Sequence, residues 1–166
     1  ISHEDKKLLF LQVEDKFKAT DPNSLGMDMK LDDTGDLDIS SGGFGRVQGI
    51  ETAKQRLSTC MSTIKGEIAD HRHLGSLATY YYDNYRNDLN VFSKLILLEL
   101  VRLSLIPLQL QGRVEKVPSL HFVKRILNVD IKNTELAHSR FIALVELEWG
   151  NGEYWFGEVP IFVLQA

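Results

Sequence analysis

Residues 140–164 read RFIALVELEWGNGEYWFGEVPIFVL, and this stretch decides the fold. From Arg140 to Trp149, Phe141, Ala143, Val145, Leu147 and Trp149 alternate with other residues, and the opposite face ends in Glu146 and Glu148. Successive side chains of a strand point to opposite faces, so a strict period of two reads as a strand. Trp149-Gly150-Asn151-Gly152-Glu153 then supplies a tight turn, with Asn151-Gly152 at its centre. Tyr154 to Leu164 returns as the last strand, interrupted at Gly157 and Pro160.

Upstream, Val114–Val123 and Ile126–Ile131 are rich in β-branched and large apolar residues and read as strands, with Pro118 marking a bend or an edge. Before them the period changes. Asp88 is an N-cap for a long helix that ends near Pro107, with Val91, Leu95, Leu98, Arg102 and Leu105 along one side. Leu97, Val101 and Leu103 widen its apolar surface, which predicts a central buried helix. His71 to Tyr85 reads as loop followed by a short helix. Ile50, Ala53, Leu57, Cys60 and Ile64 recur at helical spacing, with Gly66 as the expected stop. Met27–Leu31 and Leu37–Ser40 alternate around Asp32-Asp33-Thr34-Gly35 and predict a hairpin, followed by a loop at Ser41-Gly42-Gly43-Phe44-Gly45. Asp21-Pro22-Asn23-Ser24 interrupts the chain and places an N-terminal arm at residues 1–19 and one domain at 20–166. Within the arm, residues 3–18 leave helix and strand both open. The order is hairpin, helices, then an antiparallel sheet with an exposed edge, which is α+β.

With 166 residues, 43% hydrophobic and 25% charged, the chain suits one globular domain. Its net charge of −4 argues against a nucleic-acid binder, which is usually basic. Leu95–Leu108 is broken by Glu99, Arg102 and Ser104 and is too short for a membrane span. Ile1 to Lys7 lacks the basic stub and apolar core of a secretory leader. Cys60 cannot form an internal disulfide alone, and its place on the helix stripe reads as a small buried hydrophobe.

Catalytic patterns are thin. His71 and His73 alternate as strand ligands could, but no cysteine lies near them in sequence, and Asp70 and Arg72 beside them suit a solvated turn. Asp32, Asp33, Asp36 and Asp38 have the composition of a calcium loop without its closing glutamate or its glycine position. Ser41 to Arg46 matches neither the phosphate-loop nor the dinucleotide pattern. Glu67, Asp70, Glu146 and Glu148 could supply the two carboxylates of a glycan hydrolase, but any chain with 23 acidic residues offers such pairs. Tyr80, Tyr81, Tyr82 and Tyr85 beside Arg86 read as a protein-contact patch. No cofactor or metal is expected, and no enzyme activity.

One pattern is more specific than its parts. Asp36-x-Asp38 is followed by Gly43-Phe44-Gly45-x-Val47-x-Gly49 and a helix carrying Ala53, Gln55 and Leu57. Thr63-x-x-Gly66-Glu67 and Gly75-Ser76 come after it. The series resembles the contractile-tail baseplate wedge family that initiates the sheath, which has relatives in type VI secretion baseplates. The resemblance covers residues 20–166. It implies a structural protein of the virion tail baseplate, assembled in the host cytoplasm in six copies around the tail axis. The implied partners are wedge proteins, sheath subunits and the tail tube or hub, with no nucleic acid and no membrane. The family's Glu-Pro-Arg motif after the long helix, which contacts the wedge, is here Gln111-Gly112-Arg113-Val114, so Arg113 and Val114 are the expected wedge contacts. Phe141, Ala143, Val145, Leu147, Val159, Ile161 and Val163 are the expected sheath contacts. Gly43, Gly45, Gly49, Gly66, Gly75, Asn151 and Gly152 are the expected structural turns. A tail-associated, lysozyme-like wall hydrolase is the alternative.

Overall fold

The computed structural model describes residues 18–39, 42–107 and 117–165, with His71 as backbone alone. Two short strands, β1 (Asp28–Met29) and β2 (Arg46–Val47), precede three helices, α1 (Ile50–Ser62), α2 (Ala78–Tyr85) and α3 (Leu89–Leu105). A three-stranded antiparallel sheet of β3 (Val123–Asp130), β4 (Arg140–Trp149) and β5 (Tyr154–Phe162) follows, with β4 in the middle. The chain is α+β. No helix among the described residues is long and apolar enough to cross a membrane.

The alternation in β4 does what its period demands. Phe141, Ala143, Val145, Leu147 and Trp149 are fully buried, and Val159 and Ile161 on β5 and Val163 just after it join them. Against this face pack Ala53, Leu57 and Met61 of α1 and Phe92, Ile96, Leu100 and Leu103 of α3. Tyr82 stacks on Phe141 with ring centroids 5.9 Å apart, and Phe92 lies 5.0 Å from the same ring. Each such side chain contributes about 1.5–3 kcal/mol by leaving water.

Several elements differ from the expectation. β1 pairs with β2, in the register Asp28↔Val47, rather than with the residues after the aspartate turn. The expected hairpin survives as a single bridge, Leu31↔Leu37. α1 stops at Ser62, ahead of Gly66, and Ile64 instead forms a bridge to Ser76. The expected side of α3 is its outer side: Val91, Leu98 and Leu105 are exposed, and the core takes Phe92, Ile96, Leu100 and Leu103. Asp88 does cap the helix, its Oδ1 accepting from the Val91 amide at 3.1 Å. Of the expected strand Val114–Val123, residues 119–122 form turns and 114–116 lie outside the described residues. β3 follows, with register shifts between Val123 and Arg125 and between Ile126 and Asn128.

The turn linking β4 and β5 is a three-residue loop, Gly150-Asn151-Gly152, closed by Trp149 N–H to Glu153 C=O at 2.8 Å. Asn151 Oδ1 accepts from Glu153 N at 3.0 Å, and Gly152 takes a φ of 89°.

Candidate functional site

Four of the motif residues, Thr63, Glu67, Gly75 and Ser76, meet at one junction between α1, α2 and α3. Thr63 C=O accepts from Ser76 N at 2.8 Å, and Ser76 C=O accepts from Lys65 N at 2.9 Å. Ser76 Oγ donates to Met61 C=O, the last turn of α1. Glu67 folds back so that its Oε2 accepts from Ile64 N at 3.0 Å. Gly75 sits at φ 85°, where an added Cβ would lie 2.5 Å from Thr63 O. Only glycine takes that conformation and that approach together.

The same junction contains a charge buried inside α3. Glu99 is 3% exposed and binds Arg102 through a two-bond fork, 2.7 Å from Nη2 and 3.0 Å from Nε. Glu99 Oε1 also accepts from Leu77 N at 2.9 Å, and Arg102 Nη2 donates to Gly75 C=O at 2.6 Å. The fork thus fastens the start of α2 to the middle of α3, and its charge is compensated on the spot. Gln55, another motif residue, pins the N-terminal strands: it accepts from Leu31 N at 2.9 Å and donates to Met29 C=O at 2.7 Å. These residues hold elements together.

The remaining turn positions divide. Gly49 (φ 58°) starts α1, and Gly66 (φ 90°) lies in the turn after it. Gly43 and Gly45 have no positive φ; Gly42, at 78°, is the loop residue that does. Arg113 and Val114 lie outside the described residues.

The candidate chemical groups are not assembled. Asp32 turns inward on its own loop, accepting from Thr34 Oγ1 at 2.6 Å, Thr34 N at 2.8 Å and Asp36 N at 3.1 Å. The Thr34 hydroxyl above all, helped by these amides, holds its carboxyl below the usual range. Among the described residues no group of three or more side chains could hold a metal ion. Of the four carboxylates considered for glycan hydrolysis, Glu67 lines the large cleft. Glu148 is buried and paired to Lys124 at 2.7 Å. Asp70 and Glu146 are exposed elsewhere. That cleft, about 840 Å³, lies between the aspartate turn, the polar side of α1 and the start of β4, with Asp32, Glu51, His138, Arg140 and Glu158 among its walls. Cys60 packs half-buried against the core, and burial pushes its thiol up to about 11, which suits an inert side chain. Of the tyrosines, Tyr82 belongs to the core and donates to Thr134 C=O at 2.9 Å, whereas Tyr80 and Tyr85 are exposed.

The sheet edges are the informative surface, and here the expected contact residues need correction. Phe141, Ala143, Val145 and Leu147 lie on the central strand, and with Val159, Ile161 and Val163 they form the core, so no partner can reach these side chains. They are the most apolar set on the sheet, and burial claims them first. The side chains that remain outside are even-numbered, among them Ile142, Tyr154 and Phe156, whereas Glu148 is buried by its pairing with Lys124.

Hydrogen bonding along β5 follows the same parity. Glu153 C=O and Val163 N–H both bond to the β4 side, so odd-numbered backbone groups face β4 and even-numbered ones face outward. The outward groups of the second half are capped from the helices. Ser58 Oγ donates to Pro160 C=O, Phe162 N donates to Ser62 Oγ at 2.9 Å, and Leu164 N donates to Thr79 Oγ1 at 3.3 Å. Pro160 has no N–H to cap, as its outward position allows. Among the described residues, the outward groups of Tyr154, Phe156 and Glu158 have no such partner. Their side chains are also open, with Tyr154 73% and Phe156 67% exposed. The opposite edge, β3, is distorted by its two register shifts, a device that blunts pairing. The first half of β5 is therefore a regular, open and partly apolar edge. An exposed edge was expected from the sequence, but not its residues: Tyr154 and Phe156, whose even numbering sets them opposite to Phe141, were not singled out.

No family model matches the chain, and no curated protein matches it. Among solved structures, the crystal structure of a Geobacter sulfurreducens protein provisionally named a tail lysozyme is similar at 16% identity. The match has a TM-score of 0.46 and covers 72% of this chain and 96% of that one. The correspondence is too loose to assign the chain to a family.

Proposed function

We propose that this chain is a structural component of a contractile-tail baseplate that links the wedge to the tail and starts the sheath by strand addition. The single observation that supports the reading most is the open half-edge at Tyr154–Glu158, on a fold whose motif residues serve a structural junction. Strand addition needs such an edge: main-chain hydrogen bonds supply affinity and alternate side chains set register. β5 pairs with β4 without a register shift from Phe162 to Tyr154, so an added strand would continue a regular ladder. An incoming strand would lie against Tyr154, Phe156 and Glu158. The buried odd-numbered residues would act only by holding the edge in place. In this reading Arg113 and Val114 keep the role of wedge contact.

Co-expression with neighbouring tail proteins, followed by pull-down and sizing, tests the proposal. The expected result is co-elution with a sheath subunit that Phe156→Asp abolishes, and with a wedge protein that Arg113→Ala weakens. A chain that elutes alone in every combination, or that clears cell-wall preparations as a purified protein, would overturn it.

A further inference from the structure

The same half-edge carries a second consequence, which concerns the chain on its own. An open strand edge with exposed aromatics is a hazard, because it pairs with any strand offered to it. Here the open segment is short and has fixed ends. On one side it runs into the Gly150–Gly152 loop; on the other it meets Pro160, which has no N–H and whose carbonyl is held by Ser58. Tyr154, Phe156 and Glu158 are the outward-facing residues between those ends.

We propose that this edge is self-complementary, and that two copies of the chain pair β5 to β5 in antiparallel fashion about a two-fold axis at Phe156. In that register Phe156 faces Phe156 of the second copy, and Tyr154 faces its Glu158. Each pair exchanges both N–H···O bonds, because these are the outward-facing positions of both strands. Side chains at these positions share the exposed sheet face, so the aromatic rings cover each other and the Tyr154 phenol donates to the Glu158 carboxylate. A parallel arrangement in register would instead set Glu158 beside Glu158, which is unfavourable. The antiparallel pair closes on itself and leaves no further edge of β5 to extend, so association stops at the dimer. Pairing thereby masks the edge until a strand of higher affinity displaces the second copy.

This inference uses the edge of the tail reading but does not require it. The test reads the purified chain alone, so failure of either leaves the other standing. The probe is a cysteine at Phe156. Directly paired residues in hydrogen-bonded positions have Cα atoms about 5.5 Å apart, within disulfide range. Two copies of residue 154 would be about 14 Å apart at roughly 3.4 Å per residue, beyond it. Native Cys60, with its thiol raised to about 11, supplies little background. Under mild oxidation, Phe156→Cys is expected to become mostly covalent dimer. Tyr154→Cys alone should remain monomer, and Tyr154→Cys combined with Glu158→Cys should cross-link again. Light scattering on the wild type should show a mass rising with concentration toward twice 18.9 kDa, while Phe156→Asp stays at the monomer value. A Phe156→Cys chain no more cross-linked than wild type would overturn the proposal, as would equal cross-linking of Phe156→Cys and Tyr154→Cys.

Discussion

The junction around Gly75 and the outer half of β5 are built on opposite plans. At the junction, polar groups are buried and matched: Glu99 serves Arg102 and Leu77, Ser76 serves Met61, and Thr63 receives Ser76. At the outer half of β5, apolar side chains are exposed, and outward backbone groups have no partner among the described residues. A closed polar cluster fixes the shape of one chain. An open apolar edge adds little to the stability of that chain alone and leaves main-chain groups that another strand could use. The two regions should therefore respond oppositely to mutation, the junction through stability and the edge through association.

Gly75→Ala should give the largest loss of stability. The new Cβ meets two carbonyl oxygens, Thr63 O at 2.5 Å and Ile64 O at 2.9 Å, at a φ of 85° that L-residues rarely adopt. Clash and backbone strain together should cost about 3–4 kcal/mol, read as a fall in the urea midpoint. An unchanged midpoint would mean that the junction yields freely and would break the contrast with the edge. Glu99→Ala should come next. It leaves Arg102 and the Leu77 amide without their acceptor, at a cost of about 3 kcal/mol. Adding Arg102→Met should return part of that loss, because an apolar pair can replace a buried ion pair. If the double variant is no better than the single one, the fork matters through packing and not through charge.

How much of this was legible in the sequence depended on whether an element's pattern had one solution. β4 had one as a strand: Glu146 and Glu148 against Val145, Leu147 and Trp149, closed by a Gly-Asn-Gly loop, mark its two faces even though Ile142 and Leu144 are apolar on the outer one. α3 had two. Leu95-Ile96-Leu97-Leu98 offers an apolar residue in every direction, and contact with β3 and α2 selects the Phe92, Ile96, Leu100, Leu103 side. The Asp88 cap was readable because it is local; the buried face was not, because it is tertiary. β3 concealed its pattern differently. Its two register shifts bring Val123, Ile126 and Val129 inward at every third position, so no period of two exists to be found. Among site residues, the glycines and Thr63-x-x-Gly66-Glu67 stood out by type and order, but their service to a structural junction is visible only once Glu99 and Arg102 are in place. The contact face was assigned to the odd-numbered side because those residues are the most apolar, which is the reason they are buried.

Within β5 itself the comparison can be sharpened. Ser62→Ala removes the cap on Phe162 N–H and should cost about 1 kcal/mol, the usual net value of one hydrogen bond. It should also lengthen the open edge toward the second half of the strand. Faster exchange at the Phe162 amide with little change at Val163, which bonds to Ser139, would be the expected pattern. Equal acceleration at both would mean that the strand end frays as a unit, and that the serine caps do not separate a closed half from an open one.

Phe156→Asp should have the smallest effect on stability and is the sharpest test of the contrast. The ring is 67% exposed and lies outside the core, so the unfolding free energy should fall by only about 0.5 kcal/mol, most of it from like charge and not from lost packing. A carboxylate there would stand opposite Glu146 on β4, in the register Glu146↔Phe156, and beside Glu158 on its own strand. Any strand arriving at this edge would meet added negative charge in place of an aromatic surface. Association through the edge should therefore be lost, with a copy of the chain or with a partner strand, while folding is kept. If stability falls instead by more than 1 kcal/mol, Phe156 supports its own chain, and the division between a region built for folding and a region built for assembly does not run along β5.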